Sequence, residues 1–246
     1  MTDALLAATG VTCSYGEGAL RTHVLRGIDL AIRPGELTVL MGPSGSGKTT
    51  LISILAGLLR PTTGSVVLRG EELTKMDDAA ITAARRRSLG FVFQAFHLFP
   101  ALSATDNVAE VLALSGVPIG KARGKARDLL TRFGLGERLD NLPAQLSAGQ
   151  RQRVAIARAL APDPKLVIAD EPTVALDGPT AKSVMVLLRE YVSAGTSVLL
   201  VTHDHRIVRD TDRVVEIEDG LLARDGRGLG VHGRVSAPPS AEEKEV

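Results

Sequence analysis

LTVLMGPSGSGKTT, residues Leu37 to Thr50, is the stretch that decides the fold. Leu37 to Met41 reads as a buried strand, set off by the Pro34-Gly35-Glu36 turn. Beyond it, Leu51, Ile54, Leu55 and Leu58 recur at helical spacing, which predicts a helix over Gly47 to Leu59, ended by Pro61-Thr-Thr-Gly64. Between strand and helix lies G-x-x-x-x-G-K-T, and that context turns a string match into a structural expectation: a phosphate loop. Gly42, Gly45 and Gly47 let backbone N–H groups approach a β-phosphate, with Pro43, Ser44 and Ser46 completing the turn. Lys48 reaches β- and γ-phosphate oxygens, and Thr49, followed by Thr50, offers a hydroxyl to Mg²⁺. The alternative, a glycine-rich turn with no ligand, fits this context poorly.

Outward from that stretch, Leu5 to Tyr15 and Val24 to Ile32 read as strands, as do Val66 to Arg69 and Leu89 to Phe93. A polar helical segment ending in Arg85, Arg86 and Arg87 separates the last two; the arginines read as a solvated face, with partner or lipid contact the minor alternative. Residues 95–161 change to helical character, read as an insertion. Strands return at Leu166 to Ala169 and, after a helix over Thr180 to Ser193, at Ser197 to Val201. A hairpin from Arg213 to Ala223 turns at Asp219-Gly220, and a flexible tail is expected over 225–246. Apolar strands alternating with helices imply a right-handed parallel α/β core.

Two further segments carry chemistry. The strand ending at Ala169 delivers Asp170 and Glu171 to the edge where α/β folds place ligands; Asp170 suits the Mg²⁺ shell and Glu171 suits a general base. Leu146-Ser-Ala-Gly-Gln150 is a small polar turn opening a second helix, which carries Arg151, Arg153 and Arg158. Unpaired N–H groups and the helix dipole make that opening a second anion site. Arg151 and Arg153 read as solvent-facing.

Composition narrows the classes. The chain has 246 residues, a formal net charge of +1 and 44% hydrophobic residues, enough for one large core with room for a subdomain. Near-neutral charge argues against direct nucleic-acid binding. Cys13 is the only cysteine, read as a small buried strand residue, so no intramolecular disulfide framework exists. No signal peptide and no apolar run long enough to span a membrane is seen, so any membrane span must come from another subunit.

These motifs, in this order from Tyr15 to His203, resemble those of the nucleotide-binding subunits of ATP-binding cassette (ABC) transporters. The resemblance implies a P-loop NTPase core with a parallel sheet, an antiparallel β subdomain and a helical insertion, one domain over 1–224. It implies ATP and Mg²⁺ as ligands, ATP hydrolysis, and a head-to-tail dimer with a second copy of the chain. In such a dimer the signature turn, here Ser147, Gly149 and Gln150, caps the γ-phosphate held by the other copy, which is why one chain carries two anion sites. By the same resemblance Tyr15 stacks on adenine, Gln94 contacts Mg²⁺ and water and senses a membrane partner, His203 touches the γ-phosphate, and Asp177 links the two ATP sites. For Tyr15 a core position and for His203 a purely structural role remain open; His23, His97, His205 and His232 are left unassigned.

Two residues depart from the pattern. Ala148 stands at the first signature glycine, which is tolerable only at negative φ, and Val174 replaces a small residue before Asp177. The runs YGEGALRTHVLRGIDL, GFVFQAFHLFPALSATDNV and ADEPTVALD are similar to the branch of macrolide exporters, lipoprotein-release ATPases and heterocyst-type exporters. That implies an integral membrane permease as partner and a place on the cytoplasmic face of the cell membrane, powering export or mechanical transmission, cell-wall signalling included. The rivals are a soluble ABC ATPase acting on ribosomes, DNA or protein complexes, disfavoured by the single cassette, and a P-loop kinase, which leaves LSAGQ and His203 without a role.

Overall fold

The computed structural model describes residues 4–174 and 176–229. Two sheets share one interior. The first is antiparallel, in the order β2-β1-β4-β5, from β1 (Leu6–Tyr15), β2 (Thr22–Ile32), β4 (Thr63–Leu68) and β5 (Glu71–Glu72). The second runs β10-β9-β3-β8-β7-β6, from β3 (Leu37–Met41), β6 (Leu89–Val92), β7 (Leu166–Asp170), β8 (Ser197–Val201), β9 (Arg213–Glu218) and β10 (Leu221–Arg227). All its neighbours pair in parallel except the β9–β10 hairpin.

Strands β3, β7 and β8 are buried along their whole length, so both faces of this sheet are covered. Because successive side chains alternate, Val39, Val167, Ala169, Val198 and Leu200 pack toward the helices α3 (Ala104–Leu114), α4 (Ile119–Arg132), α5 (Ala148–Leu160) and α6 (Gly178–Ser193). Leu40, Leu166, Ile168, Leu199 and Val201 pack the other way, against α1 (Lys48–Leu55) and the antiparallel sheet. Cys13 is buried in this second layer, as expected. Among the described residues no helix is long and apolar enough to cross a membrane.

Several boundaries differ from the sequence reading. Helix α1 stops at Leu55, not Leu59, because Gly57 adopts φ +63°. Its N–H donates to Ile54 O, and Leu58 N–H donates to Ser53 O, the paired bonds of a Schellman termination. The last hairpin runs to Arg227, beyond Ala223, into the segment expected as tail; residues 230–246 and His232 lie outside the described residues, as does Ala175. The polar segment before β6 is a helix, α2 (Asp78–Ser88), started by the Asp77 side chain accepting from Ala80 N–H.

Candidate functional site

Three loops meet where β3, β8 and β7 end, because these strands are neighbours in the sheet. The loop after β3 is the phosphate loop. Gly42 sits at φ +147° and Gly47 at φ +101°, and neither position admits a side chain: a Cβ on Gly42 would strike the Ile217 carbonyl oxygen, and one on Gly47 would lie 2.8 Å from Leu25 Cδ2. Ser46 Oγ is buried inside the loop without a hydrogen-bond partner among the described residues. Its carbonyl accepts from Gly220 N–H at 3.2 Å, so the β9–β10 turn braces the loop from below. Lys48 Nζ donates to Gly42 O (2.8 Å) and Pro43 O (2.7 Å), which holds the ammonium over the loop it serves.

The loop after β7 supplies the acids. Asp170 is buried at the strand end, and desolvation, then the neighbouring Glu171 charge, push its pKa up, against a smaller opposing pull from Lys48. Glu171 turns the chain sharply with φ +48°, a left-handed conformation that costs a non-glycine residue about 1–3 kcal/mol. Its N–H donates to Val201 O at 3.0 Å, which fixes that turn against β8. The loop after β8 brings His203, whose Nδ1 lies 2.8 Å from Glu171 Oε1. An ionised carboxylate only accepts, so Nδ1 carries the proton in this pair.

These groups line one open cleft of about 660 Å³, which includes Pro43, Ser44, Gly45, Thr49, Thr50, Gln94 and Val24. Tyr15 is 48% exposed, which removes the core alternative, and it stands at the end of β1 opposite Thr22, outside the cleft lining. The Thr49 hydroxyl, Gln94 amide and Asp170 carboxylate that line this cleft are hard oxygen ligands, a donor set that fits Mg²⁺.

The signature turn is elsewhere. Ser147 caps α5: its Oγ accepts from Gln150 N–H at 3.2 Å, and Gln150 Oε1 accepts from Ser147 N–H at 2.8 Å, a reciprocal capping box. Ala148 is the first helical residue and is not among the positive-φ positions, so the alanine carries no backbone strain. Gly149 also has ordinary φ, but an added Cβ would press to 3.1 Å on Thr180 Cγ2, at the start of α6. Asp177 caps that helix, accepting from Thr180 N–H and Oγ1, and these bonds hold its carboxyl below the usual range. None of Ser147, Gly149, Gln150 and Asp177 lines the cleft. Val174 is exposed, and nothing in the structure explains its choice over a smaller residue.

One expectation is corrected. Arg151 and Arg153 are not free solvent-facing cations: Arg151 Nη1 donates to Leu146 O at 2.6 Å, and Arg153 Nη1 donates to Phe133 O at 3.1 Å. Each ties α5 to the loop before it. Arg86 and Arg87 are exposed, Arg87 pairing with Glu71, as a solvated face requires, but Arg85 is half-buried and desolvation lowers its pKa, so the run is solvated only in part. Sequence reasoning missed the left-handed turn at Glu171, for which the sequence holds no signal, and the buried pair of Arg189 and Asp212 that anchors the segment following His203.

Residues 25–174 match the family model described as ABC transporter. The chain is 47% identical to the lipoprotein-releasing system ATP-binding protein LolD of Hyphomonas neptunium, covering 90% of this chain and 98% of that protein. It is 45% identical to the pyoverdine export ATP-binding/permease protein PvdT of Pseudomonas fluorescens over 98% of its own length but only 37% of that protein's. Among solved structures it resembles the ATP-binding cassette MJ0796, a dimer in a post-hydrolysis state bound to ADP and Pi. That match has a TM-score of 0.86 and 39% identity, and covers 92% of this chain and 99% of that one.

Proposed function

This chain belongs to the ABC transporter family, and from that premise we propose that it is the ATP-binding and hydrolysing subunit of an exporter or mechanical-transmission complex, driven by head-to-tail dimerisation of two copies. We treat the chain through β10 as one ABC ATPase domain with its helical part at about 95–161, which moves the boundary expected at 224 past Arg227. The observation that carries the reading is the split between two anion-binding openings: the cleft gathers Lys48, Asp170, Glu171, His203 and Gln94, while the Ser147 turn lies outside it. A second copy completes each cleft by bringing its own Ser147 turn to it.

In this reading the phosphate-loop N–H groups and Lys48 bind the ATP phosphates, and Tyr15 takes the adenine. Thr49, Asp170 and Gln94 would hold Mg²⁺, which when bound would neutralise charge on the phosphate oxygens. Glu171 takes a proton from the water whose oxygen bonds to the γ-phosphorus, as the bond to the β–γ bridging oxygen breaks and ADP and phosphate form. His203 Nδ1–H holds the Glu171 carboxylate in position, and Nε2 donates to a γ-phosphate oxygen when the ring is protonated on both nitrogens. Closing requires that ATP bind the dimer more tightly than the monomer, and the added contacts from the second copy's Ser147 turn supply that difference.

The relatives named for export and for lipoprotein release support an integral membrane permease as the partner and the cytoplasmic face of the membrane as the location. The test is Glu171→Gln: ATP affinity should stay within a few-fold, phosphate release should fall by about 10²–10⁴-fold, and gel filtration should show an ATP-dependent dimer. Unchanged phosphate release overturns the role of Glu171. The same variant, recovered with ATP from detergent-solubilised membranes, should bring down a membrane subunit. Recovery of ribosomal or other soluble proteins alone overturns the transporter reading and leaves the ATPase reading standing.

A further inference from the structure

Gln94 is followed at once by a strained segment. Phe96 and His97 are consecutive non-glycine residues in the left-handed region, at φ +60° and +45°, a conformation the surroundings must impose. The imposing group is on α5. Arg158, buried near the end of that helix, donates from Nη1 to His97 O at 2.5 Å and from Nη2 to Phe96 O at 2.8 Å. Burial pulls the guanidinium pKa down, and both Nη groups spend their donors on these two carbonyls. Two turns earlier on the same side of α5, the Arg151 guanidinium lies 5.5 Å from the centroid of the Phe96 ring while it donates to Leu146 O, the residue before Ser147. On the other flank of Gln94, β6 abuts the main chain of α5 at Gly90, where any Cβ would run into the Ala159 carbonyl.

The segment bearing Gln94 is thus fastened on both sides to one helix, and that helix begins at the signature turn. We propose that Arg158 is a positioning residue for hydrolysis: with Arg151 it locks the Gln94 loop onto α5, so that Gln94 in one cleft and the Ser147 turn offered to the other are set by a single rigid element. The proposal rests on Gln94 meeting the reactive end of the nucleotide. A lysine at 158 keeps the charge but lacks the planar fork that reaches two adjacent carbonyls together.

The experiment compares Arg158→Lys, Gln94→Ala and the double variant in the full chain, reading kcat, ATP affinity, melting temperature and amide exchange over residues 93–99. Arg158→Lys is expected to melt within a few degrees of the parent and to bind ATP within about threefold. Its kcat should fall about tenfold or more, the loss expected when a reacting group is misplaced without being removed, and exchange should accelerate across 93–99. The double variant should be no slower than Gln94→Ala alone, since both changes remove one function. Parental kcat in Arg158→Lys, or losses that multiply in the double variant, overturns the proposal. If Gln94→Ala itself turns over at the parental rate, the role of Gln94 fails, and the proposal falls with it through a result that does not involve Arg158. Should Arg158→Lys not fold, Arg151→Gln at its half-buried position decides: a kcat loss of about threefold or more at unchanged ATP affinity supports the lock, and unchanged kcat overturns it.

Discussion

The phosphate loop at 42–47 and the signature turn at 146–149 each present a helix N-terminus, yet main chain shapes the first and side chains close the second. In the phosphate loop Gly42, Gly45 and Gly47 all lie at positive φ, and Gly42 and Gly47 are pressed against neighbouring strands and turns. Its donors face a cleft shared with two carboxylates. In the signature turn no residue is left-handed, and Ser147 and Gln150 satisfy each other's N–H groups. Its remaining first-turn donors lie outside that cleft. The difference teaches that a helix opening is only half of an anion site. Where the other half is built into the chain the backbone is specialised; where, as proposed, a second copy brings it, an ordinary capped helix suffices.

The largest expected effect breaks the first member of the pair. Gly42→Ala should lose ATP binding by about 100-fold or more, because the left-handed backbone costs a residue with a Cβ about 1–2 kcal/mol before its clash with Ile217 O is counted. Isothermal titration reads the loss, and near-parental affinity would show that the loop is less constrained than its packing implies. Ser147→Arg strikes the second member. It should leave ATP affinity within a few-fold, lower stability by about 0.5–2 kcal/mol through loss of the cap, and abolish the ATP-dependent dimer on gel filtration; a dimer there would count against donation to a second copy.

The carboxylates sharpen the contrast further. Asp170 has its pKa raised by burial, so its ionised form costs stability at pH above that pKa, and the cost declines as pH falls below it and is gone below the ordinary carboxylate value. Asp170→Asn should therefore raise the melting temperature of the nucleotide-free, metal-free protein by a few degrees near pH 7.5 and by less as the pH is lowered, while hydrolysis is lost. An equal gain at all pH values would assign the effect to something other than charge. The smallest effect is Ala148→Gly. Since Ala148 already has helical φ, restoring glycine should cost no more than about 1 kcal/mol in thermal unfolding and leave kcat within about twofold; a large gain in activity would mean that φ at this position changes in the dimer.

What was legible follows from how local each feature is. A phosphate loop is specified by consecutive residues and reads directly from the chain, as does the turn that opens α5, whereas the reciprocal cap between Ser147 and Gln150 was not foreseen. The end of α1 was misplaced because Pro61 to Gly64 is the louder signal, whereas Gly57 alone sets the termination. The arginines of α5 were misread because solvent and a carbonyl oxygen are equally good partners for a guanidinium, and spacing does not say which one it faces.

By itself the sequence determined the order of elements, the parallel core, the phosphate loop and the acids at the strand end, since each depends on side-chain type at short separation. Tertiary structure alone decided the rest. Glu171 meets His203 across 32 residues and Arg158 holds His97 across 61. Both pairs exist because β7 and β8 are neighbours in the sheet and α5 packs against β6. Such contacts depend on where packed elements end in space, and a linear pattern carries no record of that.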